Sequence, residues 1–208
     1  MSAVVLSPLA TLLVVFSLGF GVSLIGDACH VSSGTTEYLW PNVPNIWRSG
    51  AWFPFLVGAG IVGVARRGIA ARLPARRRTR ADLVLAVAAV LGLYALTATL
   101  RGTPAEVAVT LCGCIAVVIW RWWDPSRAAL GVAITAAVLG PLAEIAIMQL
   151  GAARYASDSC ALFGVAPWLP CLYFAAGAVA SGMWKVIERD GASEDPLGRP
   201  SSLQSPLR

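Results

Sequence analysis

The stretch 66–100, RRGIAARLPARRRTRADLVLAVAAVLGLYALTATL, holds the two signals on which the fold is read. Its first fifteen residues carry Arg66, Arg67, Arg72, Arg76, Arg77, Arg78 and Arg80, while 82–100 carries a single charge, Asp82. About 20 apolar residues at about 1.5 Å rise cross a hydrocarbon core of about 30 Å. An apolar run of that length beside a dense basic loop is the footprint of a transmembrane helix and its cytoplasmic flank.

Further apolar runs of spanning length lie at about 3–25, 49–65, 104–120, 127–149 and 166–187. The chain is therefore expected to be all-α, a polytopic membrane protein built as a bundle of six transmembrane helices. Residues 1–190 form that one domain, and 191–208, mixed in charge with Pro, Ser and Gly, read as a disordered cytoplasmic tail. Composition agrees: of 208 residues 57% are hydrophobic and only 13% charged, with mean hydropathy +0.71. A water-soluble domain carries about 25% charge. The first 25 residues lack a basic start and a small-residue cleavage site, so they read as a retained helix.

A net charge of +5 would suit nucleic acid, but the arginines sit between apolar runs and orient the chain instead. With the 66–80 loop inside, Arg121 and Arg127 of the next inner turn and Lys185, Arg189, Arg199 and Arg208 follow it. Thirteen of the sixteen basic residues then lie on one side, leaving Arg48, Arg101 and Arg154 outside. Both termini are placed in the cytoplasm. The Ala-, Gly- and Arg-rich composition points to a bacterial cell membrane. Trp40, Trp47 and Trp52 suit the outer interfacial belt, and the arginine run suits anionic headgroups.

Helix starts follow from Thr79 with Asp82, Thr103 with Glu106, and Asp124 with Pro125 at the first helical position; Ser49 is placed to cap the second span. Catalytic chemistry has no foothold. The one histidine, His30, falls in the expected outer loop 26–48, without a second ligand for a metal. Cys112 and Cys114 diverge by about 200° on a helix, and no nucleophile–base or phosphate-binding motif appears. No enzyme activity, metal or cofactor is expected. Cys29 and Cys160 share the outer side, where a disulfide between their loops is an open alternative to free thiols.

Within the spans, Glu144 is the one deeply placed carboxylate, about 7 Å from the outer end of the fifth helix. Such a group must be protonated, paired or facing a polar cavity; Gln149 lies one turn further out. Pro54, Pro141 and Pro170 interrupt the second, fifth and sixth spans, and kinks there would open a wedge for a lipid tail. Trp52 and Pro54 would shape its wall. Ala176 with Ala180, and Gly177 with Ser181, permit close helix contact within the chain or in a homo-oligomer. An ion-coupled carrier built on Glu144 is the alternative, but no internal repeat supports it.

Several segments resemble the Insig family of sterol-sensing membrane proteins. Ser49-Gly50-Ala51-Trp52-Phe53-Pro54 with Gly58 is similar to its Ser-Ala-Trp-Trp-x-Pro stretch. Trp120 with Asp124-Pro125-Ser126-Arg127 and Leu130-Gly131-Val132 resembles its Asp-Arg-Ser-Arg turn and the helix after it. Trp168-Leu169-Pro170-Cys171-Leu172-Tyr173-Phe174-Ala175-Ala176-Gly177 is close to its Trp-Leu-Pro-Cys block. The resemblance covers most of 49–187. It implies a bound amphipathic lipid, sterol-like or, in a bacterium, diacylglycerol-like; the kinks and the buried carboxylate read above place Trp52, Pro54, Pro141, Glu144, Gln149 and Pro170 to meet it. It also implies a membrane-protein partner met by Asp124 and Arg127, although Pro125 stands where the family has arginine.

Overall fold

The structure is a computed structural model that describes residues 6–70 and 78–189. The middle of the arginine loop and the tail expected to be disordered lie outside the described residues. The elements run α1 (Pro8–Ser33), β1 (Thr36–Tyr38), β2 (Asn45–Ile46), β3 (Ser49–Gly50), α2 (Trp52–Ala70), α3 (Arg80–Thr97), α4 (Ala105–Trp123), α5 (Arg127–Gln149), β4 (Ala153–Tyr155) and α6 (Leu169–Arg189). Among the described residues, α1, α3, α4, α5 and α6 are long and apolar enough to cross a membrane. α2, at 19 residues, is the sixth helix of the bundle and about 28 Å long.

α6 is the central helix and touches all five others, most extensively α5 and α2. Two-thirds of its span (67%) is buried, against 22–33% in the other spans. Its small residues explain that position. A Cβ on Gly177 would stand 2.6 Å from the Ala136 Cβ of α5, so the backbones meet there without side chains between them. The large exposed apolar side chains, such as Leu13, Phe55, Leu85, Val118 and Leu139, sit on α1 to α5 and in the loops, none on α6. An apolar surface of that extent requires a lipid surround.

Local chemistry sets the helix ends, not always where the sequence places them. Thr79 and Asp82 form the expected capping box on α3. α5 is capped by Ser126, whose hydroxyl accepts from the Ala129 N–H at 3.1 Å. Asp124, expected in that role, instead ends α4 and accepts from the Ser126 N–H at 3.0 Å, an Asx turn that carries the chain from one helix to the next. Pro104, not Thr103, is the N-cap of α4, with no side-chain bond. Ser49 lies in β3 and does not cap α2.

The prolines need the largest correction. Pro54 is the third residue of α2 and Pro170 the second of α6. In a first turn the missing N–H would have had no helical partner, so neither interrupts its helix. Only Pro141 lies inside a helix, where it removes the donor that the Ala137 carbonyl would use. α1 also runs eight residues past the expected end at 25, until Gly34 turns left-handed at φ 72° and stops it. That extension is possible because Asp27 and His30 are buried inside the bundle, not solvated in a loop.

The two short sheets lie in the loops at the end of the bundle opposite the chain termini. β1 pairs antiparallel with β4, and β2 with β3. The β1–β4 ribbon joins the α1–α2 connection to the α5–α6 connection, directly over the ends of α1, α3 and α5. Cys29 and Cys160 are both free thiols. Cys160 turns into its own loop, its thiol against the Ser157 carbonyl at 3.5 Å, while Cys29 stays on α1. The disulfide alternative does not hold.

Candidate functional site: an apolar cavity with a polar cap

Five helices, all but α4, line a partly open cavity of about 70 Å³. Toward the termini its wall is apolar, with Leu18, Ile61, Val87, Val179 and Met183. Toward the loops it changes character: Tyr94, Glu144 and Tyr173 converge there, with Ser23 just below. A small polar chamber continues past Glu144 beneath the β1–β4 ribbon and is lined by Asp27, His30, Thr36, Tyr38, Trp52 and Tyr155 among others. Glu144, Tyr94 and Phe53 border both spaces.

Glu144 is 5% exposed and both its oxygens are engaged. Tyr155 donates to Oε2 at 2.6 Å and Tyr173 to Oε1 at 2.7 Å. Tyr38 donates to Asp27 Oδ2 at 2.6 Å. His30 Nε2 meets Thr97 Oγ1 at 2.8 Å, and the Thr97 hydroxyl donates to the Tyr94 carbonyl. The chain has four tyrosines, and all four stand in this cluster. Burial, then the nearby Asp27 carboxylate, pushes the Tyr38 hydroxyl well above the usual phenol range; burial and Glu144 do the same for Tyr155. Both stay protonated, which keeps them hydrogen-bond donors.

Two glycines make room for the rings. A Cβ at Gly140 of α5 would overlap the Tyr173 ring, and one at Gly26 of α1 would overlap Tyr94. Tyr94 and Trp168 then flank the His30 ring edge-on at 4.8 and 5.1 Å. Tyr38 rests over Gly50, with Trp52 edge-on at 5.8 Å.

Of the residues expected to meet a lipid, the structure brings Glu144 into the cavity and Trp52 into the chamber above it. Pro54 and Pro141 are buried but line neither space, Pro170 is half-buried in the first turn of α6, and Gln149 is exposed at the end of α5. Asp124 and Arg127 sit at the other end of the bundle; Asp124 is buried in its turn and Arg127 exposed. Asp27, Tyr38, Tyr94, Tyr155 and Tyr173 are the site residues that sequence reasoning missed. The signal available was the tyrosine count: buried carboxylates need donors, and four hydroxyls were at hand.

Six helices with a lipid-facing surround, around a cavity apolar at one end and hydrogen-bonded at the other, define a polytopic α-helical membrane protein with an internal amphipathic site. No family model matches the chain. It is 43% identical over 169 residues to the INSIG protein homolog of Mycolicibacterium vanbaalenii, covering 81% of this chain and 82% of that one. The chain belongs to the Insig family. It is also 26% identical over 190 residues to the human insulin-induced gene 1 protein, covering 88% of this chain and 67% of that one. The crystal structure of a mycobacterial Insig homologue from Mycobacterium vanbaalenii superposes with TM-score 0.80 at 39% identity, covering 85% of this chain and 93% of that one. A second crystal structure of that homologue, a cross-linked trimer, superposes equally well.

Proposed function

We propose that the protein is a non-catalytic lipid-binding member of the family, a sensor or scaffold that holds a sterol-like or diacylglycerol-like molecule in the five-helix cavity. The single observation that carries this reading is the carboxylate of Glu144 at one end of an otherwise apolar space. A lipid tail fits the apolar wall between α1, α2, α3 and α6. A hydroxyl at its head can donate to Glu144, and an ester oxygen can accept from one of the tyrosines around it. The cavity has the usual composition of a small-molecule site, mostly apolar with few convergent polar groups.

The carrier alternative loses ground. Among the described residues the wall below Ser23 offers no polar group, so an ion reaching Glu144 would have no path onward through the bundle. The arginine asymmetry supports cytoplasmic termini, which would turn the polar cap toward the outer face of a bacterial membrane. The trimer of the mycobacterial relative supports a homo-oligomer here, and the turn with Asp124 and exposed Arg127 is the place where a partner membrane protein would meet the inner end.

Native mass spectrometry of the gently purified chain tests the reading, together with titration of diolein or cholesterol in phosphatidylcholine nanodiscs. A co-purifying lipid and saturable binding, weakened about 10-fold or more in Glu144→Leu, are expected from the loss of a buried hydrogen bond. Protein that carries no lipid and binds neither probe would sink the proposal.

A further inference from the structure

The polar chamber is roofed by the β1–β4 ribbon, and side chains hold that roof more than its own ladder does. Each strand is three residues long, extended by one backbone bond at either end, and a two-stranded ribbon is marginal by itself. The register pairs Thr36 with Tyr155, Glu37 with Arg154 and Tyr38 with Ala153. Alternation turns Thr36, Tyr38, Ala153 and Tyr155 inward, where all four line the chamber, and Glu37 and Arg154 outward. The outward pair meets at 2.6 Å but is exposed on both sides and adds little. The firm ties point inward: Tyr38 of β1 bonds Asp27 of α1, and Tyr155 of β4 bonds Glu144 of α5.

Three further features bear on movement. The chain leaves α1 for β1 through Gly34 at φ 72°, and leaves α5 for β4 through Gly151 at φ 67°. Each helix-to-strand joint thus holds a residue with backbone freedom that other residues lack. The Thr36 hydroxyl, on the inward face, is buried with no hydrogen-bond partner, which works against the closed position. From outside, Arg101 donates to the Gly34 carbonyl at 3.3 Å while paired with Asp158, an exposed and weak tie.

We propose that the β1–β4 ribbon is a lid, latched by Tyr38 and Tyr155 and hinged at Gly34 and Gly151, through which the cavity exchanges its occupant at the loop end of the bundle. The lid needs no helix to move. A ligand that takes an oxygen of Glu144 competes with Tyr155 for it, so occupancy and latch share one acceptor. The idea takes the cavity to be the binding site argued above, but its test reads access and needs no ligand.

The full chain is reconstituted in phosphatidylcholine nanodiscs with its native cysteines replaced and one reporter, Met148→Cys, in the chamber wall. A membrane-impermeant maleimide should label it slowly, and at least tenfold faster once Tyr155→Phe, or Tyr38→Phe with Tyr155→Phe, removes the latch hydroxyls but keeps the rings. Equal labelling rates with and without the hydroxyls overturn the lid. Hydrogen exchange on the unaltered chain guards against a misfolded variant. The amides that extend the ribbon, Leu39 and Ala156, should exchange by local opening, faster than the interior amides of α1 and α5. Exchange only in step with those helices overturns the lid as well. If neither diolein nor cholesterol binds, the proposed function fails, and the labelling ratio still decides the lid.

Discussion

Glu144 shows how much a single buried residue asks of its neighbours. Its two oxygens accept from Tyr155 and Tyr173, and replacing it by leucine strands both hydroxyls. We expect Glu144→Leu to lower stability by about 2–5 kcal/mol, and Glu144→Gln, which keeps an acceptor, by less. Tyr155→Phe should cost about 1–3 kcal/mol, the worth of a buried hydrogen bond whose acceptor is left without its donor. Thermal unfolding in detergent checks all three, and a Leu variant as stable as the Gln variant would contradict the network. Glu144 was legible in the sequence because a lone carboxylate inside an apolar run stands out. Asp27 and the loop tyrosines were not, since their burial depends on α1 running on to Ser33 and on two distant strands pairing.

At the level of elements, α6 organises the bundle, and its residue sizes say why. Gly177→Val would press a branched side chain into Ala133 and Ala136 of α5, so we expect a loss of at least about 2–3 kcal/mol. The exposed Gly60, where a Cβ meets nothing, is the control and should tolerate alanine within about 1 kcal/mol. The inner turn divides its work between two side chains. Ser126→Ala removes the cap of α5 and Asp124→Ala removes the Asx turn before it; each should cost about 1 kcal/mol by the same unfolding measurement. The expectation of three kinked helices failed for a specific reason. A proline's effect depends on its position within the helix, and the starts of α2 and α6 lie at Trp52 and Leu169, set by the strands and turns that precede them.

For the whole molecule the testable quantities are orientation, assembly and the response of the outer loops to acid. A cysteine at Ser205→Cys should be shielded from an impermeant reagent in intact cells, and one at Trp47→Cys should react; the reverse would invert the bundle. The proposed homo-oligomer, if built as the mycobacterial relative's trimer is, returns the mass of three chains in native mass spectrometry, and a lone chain contradicts it. Arg101 donates to Asp158 and holds its carboxyl below the usual carboxylate range. A carboxyl lowered on folding stabilises the folded state above its unfolded value of about 4, and that contribution fades as pH falls further. The acid limb of melting temperature against pH should therefore flatten in Asp158→Asn. An unchanged limb would mean that the pair, exposed on both sides, is silent.

Sequence by itself determined the solvent, the helix count and the family, because these rest on local quantities. Apolar runs match a bilayer's thickness wherever their neighbours lie, arginines cluster in the connections, and the Trp-Leu-Pro-Cys block is contiguous. The site was decided by tertiary structure. Residues 27, 38, 94, 144, 155 and 173 meet only because α1, α3, α5 and α6 converge at one end and the strands of two separate loops close over them. The physical reason is that a carboxylate inside a bundle must find donors in three dimensions. Which hydroxyls reach it depends on packing, on the space left at Gly26 and Gly140, and not on their spacing along the chain.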